Sequence, residues 1–205
     1  MSFNLIKIEV GPWPMNCYVF VCNQTKSSAI FDPGADHEKI LSVAQDTKIK
    51  AIILTHGHAD HIGALSPIKE ATSAPVLISP VDASHFDIAF DHAILHGEKI
   101  YIGNCEILPS HTPGHTPGQT SFYLGQNKMI VGDTVFVGGP GRTWTPEDFS
   151  TTMKTMQEIV FKWSDETIFY PGHGPSGIIG RERPKYESFV KMGWPEDLHG
   201  DVTWS

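Results

Sequence analysis

Four side chains able to bind a metal ion occur within the six residues HGHADH that begin at His56. Imidazole nitrogens and carboxylate oxygens are ligands that zinc and iron accept. The six residues directly follow the apolar run 51–55, which has the composition of a buried strand. A strand that ends there delivers its ligands into a loop. In a loop, His56 and His58 can converge on one ion while Asp60 and His61 turn toward a second.

Three further candidate ligands also lie at the ends of apolar segments. His115 lies in the turn-rich sequence HTPGHTPG, Asp133 ends the run MIVGD, and His173 follows TIFYPG. Glycine and proline fix the local backbone in such loops. Repeated placement at strand ends favours one shared site over chance. The sequence therefore predicts seven metal ligands: His56, His58, Asp60, His61, His115, Asp133 and His173.

The order of the motifs HxHxDH, PGHTPG, GD and PGHG resembles the metallo-β-lactamase fold superfamily over nearly the whole chain. The segments NCY at Asn16, DPG at Asp32 and GGPGRT at Gly138 are similar to the short, single-domain branch that resembles glyoxalase II (hydroxyacylglutathione hydrolase). The resemblance implies an α/β fold, a four-layer α/β/β/α sandwich with the ligands at one edge of two packed sheets. In such layers each sheet buries one face on the other sheet and one face under helices.

The resemblance also implies how the ligands divide between two divalent metal ions. His56, His58 and His115 belong to one ion, and Asp60, His61 and His173 to the other, with Asp133 bridging them. Zinc is the expected metal, and the same ligand set accepts iron or manganese. Two ions that share a water lower its pKa from about 16 toward about 7, which gives a hydroxide nucleophile. Asp60 is expected to be a ligand and to orient this hydroxide as a catalytic residue.

These features predict a dinuclear metal-dependent hydrolase of small thioesters, similar to glyoxalase II. A thiolate leaving group, with a pKa of about 8.5, departs without a strong general acid. One alternative is a persulfide dioxygenase that holds a single iron through two histidines and an aspartate, here His56, His115 and Asp133. Another is a lactone or β-lactam hydrolase. One class of β-lactamases has cysteine at the Asp133 position, and this chain does not.

Two residues outside the ligand set are expected to support the site. Asp32 follows the apolar run 29–31, and we predict that it accepts a hydrogen bond that positions the ligand loop, with a plain turn-forming aspartate as the alternative interpretation. Arg142 lies in the glycine-rich segment GGPGR, where the backbone can approach a ligand closely. Its guanidinium can grip a carboxylate with two hydrogen bonds, so we predict that Arg142 binds the substrate. An exposed loop arginine is the alternative interpretation.

Length and composition limit the remaining possibilities. A chain of 205 residues with 40% hydrophobic content and no linker-like tract predicts a single domain, residues 1–205. A formal charge of −8 disfavours nucleic-acid binding, and no apolar run approaches a membrane span. The three cysteines form no even framework, so a reduced cytoplasm is expected. The expected partner is a small anionic thioester, and the oligomeric state and the role of the tryptophan-containing tail remain open.

The apolar patterns predict alternating strands and helices. Predicted strands cover residues 3–10, 18–22, 29–31, 51–55, 76–78, 106–108, 120–124, 129–131 and 167–170. Predicted helices cover residues 38–45, 63–71, 146–163 and 181–192. The helix after Thr145 has the clearest start, because Thr145, Pro146 and Asp148 have the spacing of a capping box with proline at the first helical position. Its apolar residues recur at helical spacing, which indicates a buried face.

Overall fold

The computed structural model describes residues 2–204, and within that range two six-stranded sheets form the centre of the molecule. The first sheet pairs its strands in chain order and is antiparallel from β1 to β3 and parallel from β3 to β6. Its strands are β1 (Phe3–Val10), β2 (Met15–Cys22), β3 (Ser27–Phe31), β4 (Lys48–Ile53), β5 (Val76–Ile78) and β6 (His92–Ala93).

The second sheet has the strand order β14-β13-β10-β9-β8-β7, in which only the β10–β13 pair is parallel. Its strands are β7 (Ile100–Ile102), β8 (Cys105–His111), β9 (Thr120–Gly125), β10 (Lys128–Gly132), β13 (Ile168–Pro171) and β14 (Gly177–Ile178). The short strands β11 (Val135–Phe136) and β12 (Gly139–Pro140) form a separate hairpin.

Helices cover the outer faces of both sheets. They are α1 (His37–Ala44), α2 (Ala59–Ile62), α3 (Leu65–Thr72), α4 (Pro80–His85), α5 (Pro146–Glu158) and α6 (Ile179–Met192). Ile40 of α1 and Ile68 of α3 pack with the outer face of the first sheet, whereas Met153 of α5 and Phe189 of α6 pack with the second. A third apolar cluster lies between the sheets, so the predicted four-layer α/β/β/α sandwich is confirmed.

Strand β2 illustrates how alternation divides the apolar residues between layers. All eight residues of this strand are buried. Cys17 and Val19 face the helices on the outer side, whereas Tyr18 and Phe20 face the second sheet. Side chains of a strand point to opposite faces in turn, so a continuous apolar run marks a strand that is buried on both faces.

Several element boundaries differ from the sequence prediction. The predicted helix 63–71 begins later, at Leu65, as α3. The short helix α2 precedes it, and the chain turns between them at Gly63 and Ala64, where a side chain on Gly63 would collide with the carbonyl of Gly34. The predicted helix 146–163 leaves α-helical geometry at Ile159 and continues as the 3-10 helix Val160–Lys162. The short elements α2, α4, β6, β7, β11, β12 and β14 were not predicted.

Candidate metal centre

The predicted ligands reach one edge of the sandwich because strands of both sheets end there. β4 ends at Ile53, and its chain continues through a buried turn to His56. In the second sheet, β10 ends directly before Asp133, and the parallel strand β13 ends two residues before His173. His115 comes from the loop between β8 and β9. Sequence-distant loops therefore converge on a common site.

The side chains form two adjacent groups of possible metal ligands. In one group, ligand atoms of His56, His58 and His115 all lie within 4.8 Å of one another. In the other, the same limit holds for Asp60, His61 and His173. The Nε2 atom of His173 lies 3.0 Å from Oδ2 of Asp60. Each group thus offers three converging donors of the kind that zinc and iron accept.

Asp133 lies between the two groups. Its Oδ1 is 3.4 Å from Nε2 of His61, and its Oδ2 is 3.5 Å from Nε2 of His115 and 3.8 Å from Nε2 of His173. One carboxylate therefore faces donors of both groups with different oxygens. His56, His61 and Asp133 form a further group of mutually close ligand atoms. All seven predicted ligands are thus brought together by the structure.

Hydrogen bonds at Nδ1 hold the ring of each of four histidines. The imidazoles of His115 and His173 donate from Nδ1 to the carbonyl oxygens of Arg142 (2.8 Å) and Pro14 (3.0 Å). His61 Nδ1 lies 3.1 Å from Oδ2 of Asp32, and His56 Nδ1 lies 2.9 Å from the hydroxyl of Thr55. These contacts fix the tautomer that leaves Nε2 free to bind a metal. His58 differs, because its Nδ1 is the atom that faces His115.

Asp32 is the shared acceptor beneath this site. It is 1% exposed, and its carboxylate accepts hydrogen bonds from the backbone N–H and the hydroxyl of Thr55, each at 2.7 Å. Because the Thr55 hydroxyl donates to Asp32, it is free to accept from Nδ1 of His56. The third contact of Asp32 is with His61. Asp32 therefore orients one histidine directly and a second through Thr55.

Asp82 is a structural link that sequence reasoning missed. This buried carboxylate accepts hydrogen bonds from the backbone N–H groups of Gly57 (3.1 Å) and Gly118 (2.5 Å) and from the hydroxyl of Thr116 (2.8 Å). It joins the loop of His56 and His58 to the loop of His115. Burial raises its pKa, and these hydrogen bonds oppose the rise. An aspartate in the first turn of a helix is commonplace, so the sequence offered no distinguishing signal.

Glycine at position 172 lets the backbone approach the ligands closely. A Cβ atom there would lie 2.2 Å from Oδ1 of Asp133 and 2.5 Å from the ring of His61. Any larger residue would displace one of these two side chains. The glycine of the PGHG motif is therefore explained by the space that the ligands occupy.

Burial and nearby carboxylates shift the pKa values of the site histidines in opposite directions. Burial lowers the pKa of His56 and His115, and it lowers that of His58 to about 4. Burial would also lower the pKa of His61, but the charges of Asp133 and Asp32 outweigh it and raise the value to about 10. A hydrogen bond with His173 lowers the pKa of Asp60. The carboxylates thus place negative charge where cations would bind.

Buried atoms without partners test whether the residues fit a metal. Among residues 2–204, Nε2 of His56, Nε2 of His61 and Oδ1 of Asp133 are buried and lack a hydrogen-bond partner. Burying polar atoms without compensation is costly, and native proteins rarely leave them so. All three atoms face the centre of the ligand groups. A cation there would satisfy them, so the donor set fits metal ions.

Two cavities open beside the ligands. One, of 510 Å³, is lined by His58, His115, Phe86 and Trp144 among others. The ring centroid of Trp144 lies 5.2 Å from that of His58 and 5.3 Å from that of His115. Trp144 was not predicted as a site residue, because an aromatic residue in a loop carries no ligand signature. It forms an aromatic wall beside the ligands.

The second cavity, of 340 Å³, contains the predicted substrate residue Arg142 together with His115, Asp133 and His173. The Nη1 atom of Arg142 lies 3.2 Å from Oδ2 of Asp201, and both side chains are largely exposed. The guanidinium of Arg142 therefore lies beside the predicted metal ligands, where it also forms an ion pair with Asp201. His111, by contrast, lies outside the ligand groups, where its Nε2 contacts the carbonyl oxygen of Pro117.

Family comparison identifies the class of protein that has this fold and site. The model of the metallo-beta-lactamase superfamily matches residues 10–173, which include all seven predicted ligands. The chain belongs to this superfamily. Among residues 2–204, no helix combines the length and the apolar character needed to cross a bilayer.

Curated relatives match the chain over most of its length. A chain described as hydroxyacylglutathione hydrolase GloC, from Haemophilus influenzae, is 31% identical over 88% of this chain and 95% of its own length. An uncharacterized protein from Aquifex aeolicus is 32% identical over 86% of this chain and 92% of its own. Relatives of this kind include metal-dependent hydrolases.

Solved structures of similar fold carry several descriptions. The B3 metallo-beta-lactamase BLEG-1 superposes with a TM-score of 0.77 at 28% identity, over 89% of this chain and 97% of its own. A di-iron-bound form of TTHA1623 gives a TM-score of 0.73 at 28% identity, covering 87% and 96%. ETHE1 from Myxococcus xanthus gives 0.79 at 27% identity, covering 92% and 84%.

Proposed function

We propose that this protein is a cytoplasmic, dinuclear metal-dependent hydrolase of small thioesters, similar to glyoxalase II. The observation that carries the proposal is the position of Asp133 between two complete groups of three donors. Similarity to hydroxyacylglutathione hydrolase GloC supports thioesters as the substrate class. The chain's negative charge and its pair of small cavities support a small-molecule substrate rather than nucleic acid or a membrane.

In this proposal His56, His58 and His115 would hold one ion and Asp60, His61 and His173 the other, and Asp133 would serve both. Zinc is the proposed metal, and the di-iron-bound form of TTHA1623 supports testing iron beside it. The ions, when bound, supply Lewis-acid activation of a water and of the substrate carbonyl. The protein's own contribution is to hold each donor in place through the Nδ1 contacts described above.

Asp60 is suited to orient the attacking water. Its side chain is partly exposed, and its hydrogen bond with His173 lowers its pKa, so it is ionised at neutral pH. An ionised carboxylate accepts a hydrogen bond from a nearby water and fixes its direction. The leaving thiolate, with a pKa of about 8.5, departs without a strong general acid. A thioester therefore needs less from the protein than an amide.

The two cavities divide the proposed substrate-binding surface. Phe86 and Trp144 offer apolar and aromatic contact on the side of His58, in the larger cavity. Arg142 offers a cation on the side of His173. We propose that Arg142 binds an anionic group of the substrate, which must compete with Asp201 for the guanidinium.

A persulfide dioxygenase with one iron on His56, His115 and Asp133 is the second candidate. The structural similarity to ETHE1 favours it. The group of Asp60, His61 and His173 argues against it, because a single iron on the first set leaves these converging donors without a role. The similarity to BLEG-1 keeps lactone and β-lactam hydrolysis as a third candidate.

Metal analysis and two paired assays test the proposal. We expect about two metal ions per chain and release of free thiol from S-D-lactoylglutathione or another small thioester without oxygen. The matched assay measures oxygen uptake with glutathione persulfide. One tightly bound iron with oxygen-dependent persulfide oxidation, and negligible cleavage of several thioesters, would make the hydrolase proposal wrong. Turnover of lactones or β-lactams alone would favour the third candidate.

A further inference from the structure

Two cysteines from opposite sheets meet far from the metal centre. Cys22 ends β2 and Cys105 begins β8, and both side chains line one cavity. Both side chains belong to the apolar cluster between the sheets. Met15, at the other end of β2, pairs with His173. The length of the strand therefore separates the thiols from the metal centre by roughly 23 Å.

A cavity borders both cysteines, which are 1% and 2% exposed. It has a volume of 340 Å³, and both cysteines line it together with polar residues of two turns. The turns are tied together, because the Asn104 amide donates to Oε1 of Gln24 at 2.9 Å. The Cys105 thiol donates to the carbonyl oxygen of Ser2 at 3.8 Å. The pair is thus held in place beside an opening.

The surroundings make the two thiols chemically unequal. A hydrogen bond with the Thr25 side chain, supported by the backbone at Thr25 and Asn104, lowers the pKa of Cys22 to about 6. Burial, together with the contact with Cys22, raises the pKa of Cys105 to about 11. At neutral pH these shifts favour the thiolate of Cys22 over that of Cys105. Burial also raises the pKa of Cys17, the third cysteine.

We propose that Cys22 and Cys105 form a redox-reactive dithiol site for small hydroperoxides, with Cys22 as the attacking thiol and Cys105 as the resolving thiol. The Cys22 thiolate attacks the terminal peroxide oxygen, the O–O bond breaks, and the departing alkoxide takes a proton from water. Cys22 becomes a sulfenic acid. The Cys105 sulfur then attacks the Cys22 sulfur, the S–O bond breaks, and the hydroxyl leaves as water with the Cys105 proton. The two sulfurs together supply the two electrons that reduce the peroxide.

The resulting disulfide would join the two sheets covalently. Because it closes a long loop between sequence-distant strands, it restricts the unfolded chain. We expect the oxidised protein to have a higher Tm than the reduced protein, and dithiothreitol to reverse the increase.

Mass mapping of the metal-loaded wild-type protein tests the proposal. The reduced protein is treated with one equivalent of hydrogen peroxide and digested under non-reducing conditions. We expect a cross-linked peptide pair containing Cys22 and Cys105, with the loss of two hydrogen atoms. In Cys105→Ser, dimedone should instead label Cys22 as a sulfenic acid. Both thiols remaining reduced, or a cross-link to Cys17, would overturn the proposal.

Cys17→Ser is the matched control, because it removes the third cysteine and should leave the cross-link unchanged. If Cys105→Ser fails to fold, the wild-type peptide map still decides the result. The readout is the mass of the sulfur-containing peptides. It is therefore independent of whether the protein hydrolyses thioesters.

Discussion

At the scale of single residues, the site consists of donors whose directions are fixed before any ion binds. Four of the five ligand histidines use Nδ1 for a hydrogen bond and keep Nε2 for the centre. Each such contact removes rotational freedom that metal binding would otherwise have to restrict. We therefore expect the residues outside the predicted ligand set to contribute to metal affinity, and their effects are measurable separately.

The clearest case is Asp32, the acceptor for His61. In Asp32→Asn the side chain keeps its shape but loses the charge that orients the imidazole. We expect the affinity of the His61 group for metal to fall by about ten- to a hundredfold. Metal titration against a competing chelator measures this change. Asp46→Asn, an exposed substitution of the same type, is the control. Equal metal affinity in the two variants would contradict the role of Asp32.

Substitutions of Arg142 and of Asp201 should change the KM for an acidic substrate in opposite directions. If the guanidinium binds a substrate anion, Arg142→Ala should raise KM for an acidic thioester by roughly ten- to a hundredfold. Asp201→Asn should lower KM for the same substrate, because it frees the guanidinium from its ion pair. Steady-state kinetics with an acidic and a neutral thioester measure both effects. An unchanged KM in Arg142→Ala would leave this residue as part of a surface ion pair.

Residue types and their order predicted which seven donors the structure brings together, because the donors occur in recognisable motifs, most of which follow an apolar run. Asp82 could not be predicted in this way. Its role depends on contacts with Gly57 and Gly118, which are distant in sequence and become neighbours only in the folded chain. The position of Cys22 and Cys105 beside one cavity was hidden for the same reason. Pairings across the sandwich leave no periodic trace in the sequence.

At the scale of elements, Asp82 connects α4 to two ligand loops. Asp82→Ala removes the acceptor of two backbone N–H groups and one hydroxyl and leaves these donors buried. We expect the free energy of unfolding to fall by about 3 kcal/mol, and metal binding by the His56, His58 and His115 group to weaken. Denaturant unfolding and metal titration measure the two effects. Asp46→Ala is the control. A similarly small change in both variants would show that Asp82 does not hold the two ligand loops in place.

Local signals predicted the well-marked elements. Thr145 and Asp148 exchange the two hydrogen bonds of a capping box, as their spacing predicts. The predicted end of the same helix, at residue 163, was wrong. Val160 and Phe161 are adjacent and both enter the core, and the tighter turn of a 3-10 helix accommodates them. Strands of two residues, such as β6 and β14, are too short to show alternation. Their positions are set by neighbouring strands.

At the scale of the whole molecule, the C-terminal tail completes the helical layer over the second sheet. Trp204 packs against Phe161, Tyr186 and Phe189. Its backbone N–H donates to the carbonyl oxygen of Gly138, and Gly200 pairs with Thr143. The tail therefore supports the loop that carries Arg142 and lines the cavity beside the metal ligands. Its position connects the stability of the fold to the shape of the site.

The packing of the tail predicts that Trp204 contributes to the stability of the fold, and Trp13 provides a matched control in the same chain. Trp204 is 3% exposed and Trp13 is 81% exposed. Trp204→Ala removes a large buried side chain, so we expect the free energy of unfolding to fall by about 3–5 kcal/mol. Trp13→Ala should change it by less than about 0.5 kcal/mol. Denaturant unfolding measures both values. Because the tail also holds the 138–143 loop, Trp204→Ala should raise KM for thioesters under conditions where the protein remains folded. Equal stability of the two variants would show that the tail is not part of the core.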